Sequence, residues 1–185
     1  GAERQHAARY DQTRQDIQSL LLVYNASHEQ FAIPLSLISR IERISVHAIE
    51  SSGGRRYMRY RGGTLRLLAL EEVAHVTPRE ETETLSVIVF ATGGREVGLM
   101  VSSIVDVLEA EVTFDSMTFR QPGILGSAVL IGRTTLLVDL FGFVAAALPD
   151  WVVQPERVVT QLGTQPTVLI VEDSHFFLHH IKNFV

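Results

Sequence analysis

The chain has 185 residues, enough for one sizeable domain or two small ones, with 46% apolar and 20% charged residues, an ordinary globular balance. It has no cysteine, which excludes disulfides, thiolate nucleophiles and cysteine-based metal sites. A net charge of −5 argues against nucleic acid as the main partner, and the longest apolar run, Leu140–Leu148, is far too short to span a bilayer.

The polar N-terminus (Glu3, Arg4, Arg9, Asp11, Arg14) does not read as a signal peptide, and residues 1–16 read as a lead-in. Ile17–Tyr24 is rich in Leu and Val and predicts a strand. Asn25–Glu29 reads as a turn and Gln30–Ile33 as the returning strand of a hairpin. Pro34 has a fixed φ and no N–H, so it is expected to end the ladder and open a helical turn through Ser39. Arg40–Val46 alternates charged and apolar residues and predicts another strand. Ser51–Gly54 reads as a turn, and Arg55–Tyr60 with Thr64–Leu68 as a hairpin about Gly62-Gly63. Thr77–Glu83, polar and carrying Pro78, is the expected joint between two halves. The second half repeats the plan, with strands at 85–91, 95–100, 103–109, 124–130 and 134–138 and a short helix over 140–148. Many short strands at this spacing argue for small closed barrels rather than a βαβ sheet.

The repetition is explicit. Phe31–Ile44, FAIPLSLISRIERI, is echoed by Val97–Ala110, VGLMVSSIVDVLEA, at an offset of 66 that holds back to Leu21. Arg61–Leu70 is echoed by Ile131–Leu140 at an offset of 70. Two copies suggest two similar half-domains, about 17–76 and 84–148. The copies differ at positions expected to alter a surface, where Pro34 is matched by Met100 and Arg40 by Asp106.

Composition shifts after Leu148, and 149–166 reads as a linker. Val168–Val171 is all apolar and reads as a strand, followed by Glu172-Asp173-Ser174 and a helical pattern from Phe176, which together read as the opening of an α/β domain. Two carboxylates at a strand end suit Mg²⁺; equally, Asp173 or Ser174 caps the helix. His175 and His179 have the spacing of helical metal ligands but no accompanying carboxylate, and read better as surface or packing histidines. No nucleophile elbow, P-loop or dinucleotide fingerprint occurs, and residues 17–148 hold no catalytic constellation. Arg55, Arg56, Arg59, Arg61 and Arg66 form the one basic cluster. Arg55, Tyr57, Arg59 and Arg61 are expected on one strand face, as a docking surface for an acidic or helical partner or as an ordinary solvated face.

Residues 17–148 resemble the CheW-like domain of bacterial chemotaxis proteins. The matching pieces are FAIPLSLISRIERI, YRGGTLRLLALEEV, SVIVFATGGREVGLMVSSIVDVLE and GSAVLIGRTTLLVDLFGFV. The resemblance implies a mainly β fold of two five-stranded SH3-like barrels. It also implies a non-catalytic role, binding chemoreceptor cytoplasmic tips, CheW and sister CheW-like domains. Arg61-Gly62 matches the family's Arg-Gly element, and the second copy has Ile131-Gly132 instead. Together with the basic face and the positions where the copies differ, the expected partner surface comprises Arg59, Arg61, Gly62, Pro34 and Arg40.

The stretches Gln121–Val129 and Leu148–Trp151 resemble the regulatory domain of a CheA-type histidine kinase. Thr167–Val185 resembles the start of a response-regulator receiver, in which Glu172 and Asp173 match the acidic Mg²⁺ pair. The phosphoacceptor of that family lies later than residue 185. The resemblance therefore implies part of a hybrid kinase in the cytoplasm, at membrane receptor arrays but not inserted in the membrane. An ATP-binding domain is expected upstream and most of a receiver downstream. The alternative is a CheV-type adaptor, which also joins a CheW-like domain to a receiver. An enzyme acting through Glu172 and Asp173 is a third reading, and it requires the completed receiver.

Overall fold

The computed structural model describes residues 17–26 and 28–151. The expected lead-in at 1–16, most of the linker and the receiver-like stretch with Glu172 and Asp173 lie outside them. The described chain is almost entirely strand. It runs β1 (Ile17–Ala26), β2 (Glu29–Pro34), β3 (Ile38–Ser45), β4 (Ile49–Ser52), β5 (Arg55–Tyr60), β6 (Gly63–Ala69), β7 (Thr84–Thr92), β8 (Arg95–Val101), β9 (Ser103–Glu111), β10 (Ile124–Leu130), β11 (Arg133–Val138) and α1 (Leu140–Ala147). Short 3-10 turns at Leu35–Leu37 and Val46–Ala48 link β2 to β3 and β3 to β4.

The strands form two sheets, β10-β11-β2-β1-β9 and β3-β7-β8-β6-β5-β4. Both sheets are rolled, and the connections require it. β3 and β4 are opposite edges of the six-stranded sheet, which laid flat would be roughly 24 Å across. Only Val46–Ala48 separates them, a link that reaches about 14 Å at most. In the five-stranded sheet Asp115, just beyond edge strand β9, bridges Ser127 on the other edge, β10.

The expected division into halves at about 17–76 and 84–148 does not describe these sheets. β6 pairs in parallel with β8, Arg66 beside Val97, and β11 pairs in parallel with β2, Leu136 beside Phe31. β3 pairs with β7, and β1 with β9. Each half thus lends its first hairpin to a sheet completed by the other half. The six-stranded sheet is the contiguous segment from Ile38 to Val101, and the five-stranded sheet is built from what flanks it. The physical reason lies in the hairpins β1-β2 and β7-β8, whose central residues are buried on both faces. Such strands need cover on two sides, and strands from both halves supply it.

Three apolar clusters follow. Leu67, Val87 and Met100 belong to one confined to the six-stranded sheet. Leu20, Leu22 and Leu137 belong to one confined to the five-stranded sheet. The largest draws alternate residues from both sheets, including Leu21, Phe31, Ile88 and Phe90, and Phe143 of α1 joins it. Asp139 caps α1, its Oδ1 accepting from Gly142 N–H at 2.8 Å.

The expectation of five strands per sheet fails by one. β4, Ile-Glu-Ser-Ser, is short and mostly exposed, and nothing in its composition marks a strand. Its place in the other sheet is taken by the single Asp115–Ser127 bridge. The β5-β6 turn also sits one residue earlier than expected. Tyr60 pairs with Gly63, so Arg61-Gly62 is the two-residue loop and Gly63 belongs to β6.

Candidate functional site

Strand parity gathers a group at one open end of the six-stranded barrel. Arg40 shares a face of β3 with Ile44, Tyr60 a face of β5 with Met58, and Glu96 a face of β8 with Met100. Ile44, Met58 and Met100 all lie in the interior cluster of this sheet. Arg40, Tyr60 and Glu96 therefore rim its mouth. Arg40 Nη2 is in close ion pairing with Glu96 Oε1. The Arg40 guanidinium stacks over the Tyr60 ring, 4.8 Å from its centroid.

Arg61 reaches the same ring from the hairpin loop, at 5.6 Å. Its φ is 48°, in the left-handed region, and Gly62 follows at 79°. This is the pair of positive φ values that a tight two-residue hairpin requires. A side chain other than Gly, Asn or Asp at the first position is strained. Arg61 is exposed and makes no ion pair among the described residues. Arg59–Thr64 line a shallow depression of about 530 Å³.

The structure thus brings Arg40 and Arg61 together, through Tyr60. Gly62 is at the same loop. Arg59 lies beside it, exposed, its Nε 3.0 Å from Glu50 Oε1. Pro34 is not part of this group of contacts. It is buried at the end of β2, paired with Leu20, so it shapes the crossing into β3. The basic cluster of five arginines is also dispersed. Arg56 pairs with Glu72 at 2.5 Å, and Arg66 is buried with its Nη1 donating to the Arg56 carbonyl at 2.9 Å. Burial pulls the Arg66 guanidinium below its ordinary pKa, opposed by Glu72. Tyr60 and Glu96 were missed by the sequence reading. Counting Tyr60 with Met58 at period 2 was the signal that could have placed it inward.

The second barrel has the same hairpin with a more apolar loop, although Arg133 follows it with Nη1 donating to Tyr24 Oη at 2.6 Å. Ile131 and Gly132 have φ of 50° and 69°. Where the first hairpin carries Arg59 and Arg61, this one carries Val129, 74% exposed, and Ile131, 63% exposed. Two further exposed aliphatics border the largest cluster: Ile41 beside Ile88, and Val107 beside Leu21.

Among the described residues no three His, Asp or Glu side chains converge as a metal site, and no helix is long and apolar enough to cross a membrane. What this geometry offers chemically is charge, stacking and exposed aliphatic surface.

Residues 20–148 match the family model of the CheW-like domain. Chemotaxis protein CheA of Listeria monocytogenes is 28% identical over 130 residues, and CheA of Listeria innocua is equally similar over the same length. The match covers 69% of this chain but 21% of each relative, so the chain spans about a fifth of the curated relatives it matches. The crystal structure of the scaffolding protein TtCheW from Thermoanaerobacter tengcongensis superimposes with a TM-score of 0.50 at 14% identity, covering 65% of this chain and 88% of that one. The family match, the two rolled sheets and this fold likeness agree, and the chain belongs to the CheW-like domain family.

Proposed function

We propose that the chain is a docking and regulatory module that couples chemoreceptors and CheW to a histidine kinase of the CheA type. The observation that carries this reading is the hairpin pair. One backbone is used twice, at Arg61-Gly62 and Ile131-Gly132, with a cationic tip on one barrel and an apolar tip on the other. Exposed, strained tips of contrasting chemistry suit two different protein partners and no reaction. The similarity to CheA proteins supports attachment to a kinase. On this reading ATP is used by an upstream domain, the protein works at receptor arrays, and Mg²⁺ belongs to a receiver that Glu172 and Asp173 would begin. The CheV-type alternative differs in its upstream sequence, where it has no ATP-binding domain.

The test is capture of purified CheW by this chain. Arg61→Glu should weaken it about tenfold, as loss of an interfacial charge contact does. Undiminished capture would remove Arg61 from the site. Absence of capture by the unaltered chain, and by a chemoreceptor cytoplasmic tip in parallel, would sink the coupling reading.

A further inference from the structure

The Tyr60 ring meets two arginines, and what holds it there is informative. Its Oη is buried and makes no hydrogen bond among the described residues. A buried hydroxyl normally finds a partner. The ring is instead fixed by packing on the interior cluster from one side and by the Arg40 guanidinium stacked on it. Arg40 in turn is anchored by Glu96, from a strand of the other sequence half. The chain of contacts Glu96–Arg40–Tyr60 ends on Arg61, the one member with no counter-charge.

Arg61 thus differs from most arginines around it, with Arg43 and Arg55 likewise lacking a carboxylate among the described residues but having no ring beneath them. Arg40, Arg56, Arg59 and Arg79 each have a carboxylate, and Arg66 is buried against a carbonyl. Arg61 has an aromatic ring beneath it, an exposed fork of donors, and a shallow depression beside it whose lining includes Gly62, Gly63 and Thr64. A guanidinium held on a ring has lost part of its rotamer freedom before a guest arrives, and its planar fork fits a carboxylate.

We infer that this barrel mouth is a carboxylate-recognition site that takes an acidic side chain of a partner protein, with Arg61 as the receiving cation and Tyr60 as the residue that positions it. The inference names the partner chemistry of the docking surface proposed above, and its biological use rests on that reading. Binding of a carboxylate does not require CheW, so the two can fail separately.

The experiment is an NMR titration of the full ¹⁵N-labelled chain at constant ionic strength, following the Gly62 and Thr64 amides. The probe is N-acetyl-glutamate N-methylamide, with the glutamine analogue as the uncharged control and inorganic phosphate as the competing anion. The glutamate probe should give saturable shifts and the glutamine analogue none. Arg61→Gln should abolish them. Tyr60→Leu should weaken binding about threefold or more, the scale of one exposed cation–π contact. Tyr60→Phe should retain it, because the hydroxyl makes no bond. Equal shifts from both amides, no saturation, phosphate binding tighter than the carboxylate, or Tyr60→Phe as damaging as Tyr60→Leu would each overturn the inference. If Tyr60→Leu unfolds, Arg61→Gln and Tyr60→Phe still decide it. Normal capture of CheW alongside a failed titration would remove the carboxylate site and leave the coupling role standing.

Discussion

Ser102 Oγ donates a 2.5 Å hydrogen bond to the backbone carbonyl of Asn25, 77 residues away in sequence. Asn25 is completely buried. Its Nδ2 donates to the Thr77 carbonyl at 2.8 Å and to Glu71 Oε2 at 3.0 Å, and its carbonyl also accepts from Glu80 N–H at 2.9 Å. One residue of β1 thus fixes the crossing from β8 to β9 and the connection over 77–83. Its repeat equivalent is Ala91, so the device exists once.

Asn25→Ala should therefore destabilise the protein by about 2–3 kcal/mol, since it leaves the Thr77 carbonyl and the Glu71 carboxylate without this donor. Urea unfolding measures it. A loss below about 0.5 kcal/mol would show that the connection is held by other contacts.

The shared sheets predict a single unfolding transition. Neither 17–76 nor 84–148 expressed alone should give a cooperative melt, because each lacks strands that its sheets require. Two well-separated transitions in the intact chain, assigned to those segments, would contradict the exchange of strands.

Gly98 and Gly126 should tolerate alanine differently. A Cβ at Gly98 would lie 2.6 Å from Val87 Cγ1 and 2.8 Å from Leu67 Cδ2, side-chain ends that can shift, so Gly98→Ala should cost about 1–3 kcal/mol. A Cβ at Gly126 would lie 2.1 Å from the Asp115 backbone oxygen, which is tied into the barrel-closing bridge. Gly126→Ala should be the more damaging in thermal melts, and the reverse order would mean that the 112–123 connection yields easily.

Ile131 carries a β-branched side chain in the left-handed region while 63% exposed. Ile131→Asn should raise stability by about 1 kcal/mol, because Asn accepts that conformation at little cost. A higher melting temperature combined with weaker partner capture would mark Ile131 as retained for binding at the expense of stability.

Asp115 gives a pH signature. The Thr118 hydroxyl, then the backbone N–H groups of Met117 and Thr118, hold its pKa below the ordinary aspartate value. A carboxyl depressed on folding stabilises above its unfolded pKa, and that contribution is lost as pH falls through the folded value. Acidification through the aspartate range should therefore loosen the 115–118 turn. Asp115→Asn should flatten the acid dependence of the Thr118 amide shift, and an unaltered profile would assign it to another group.

Much of this was legible in advance because it is local. Alternation, Gly-containing turns and the 66-residue echo located ten of the eleven strands and the closing helix. The pairing was not legible. An echo is equally consistent with two self-contained barrels and with two that trade hairpins, and a run such as Leu20–Val23 says that both faces are covered without saying by what. Of the site, Arg61 and Arg40 were found as members of motifs. The ring that joins them was not, because Tyr60 acts through a contact to a strand 20 residues away. The burial of Pro34 was not legible either, because a motif position carries no information about it.

The layout of the two sheets also sets how the domain transmits a pull. Residues 17–34 and 103–138 build one sheet, and 38–101 builds the other as an insertion. Tension applied between Ile17 and Val138 runs through the ladders β1-β2 and β2-β11, all within the five-stranded sheet. The barrel bearing Arg61 is joined to that sheet by the crossings at 34–38 and 101–103, by the shared apolar cluster and by the Asn25 hydrogen bonds. Tension between Ile17 and Val138 would thus load the apolar hairpin's barrel directly and reach the cationic mouth only through those joints.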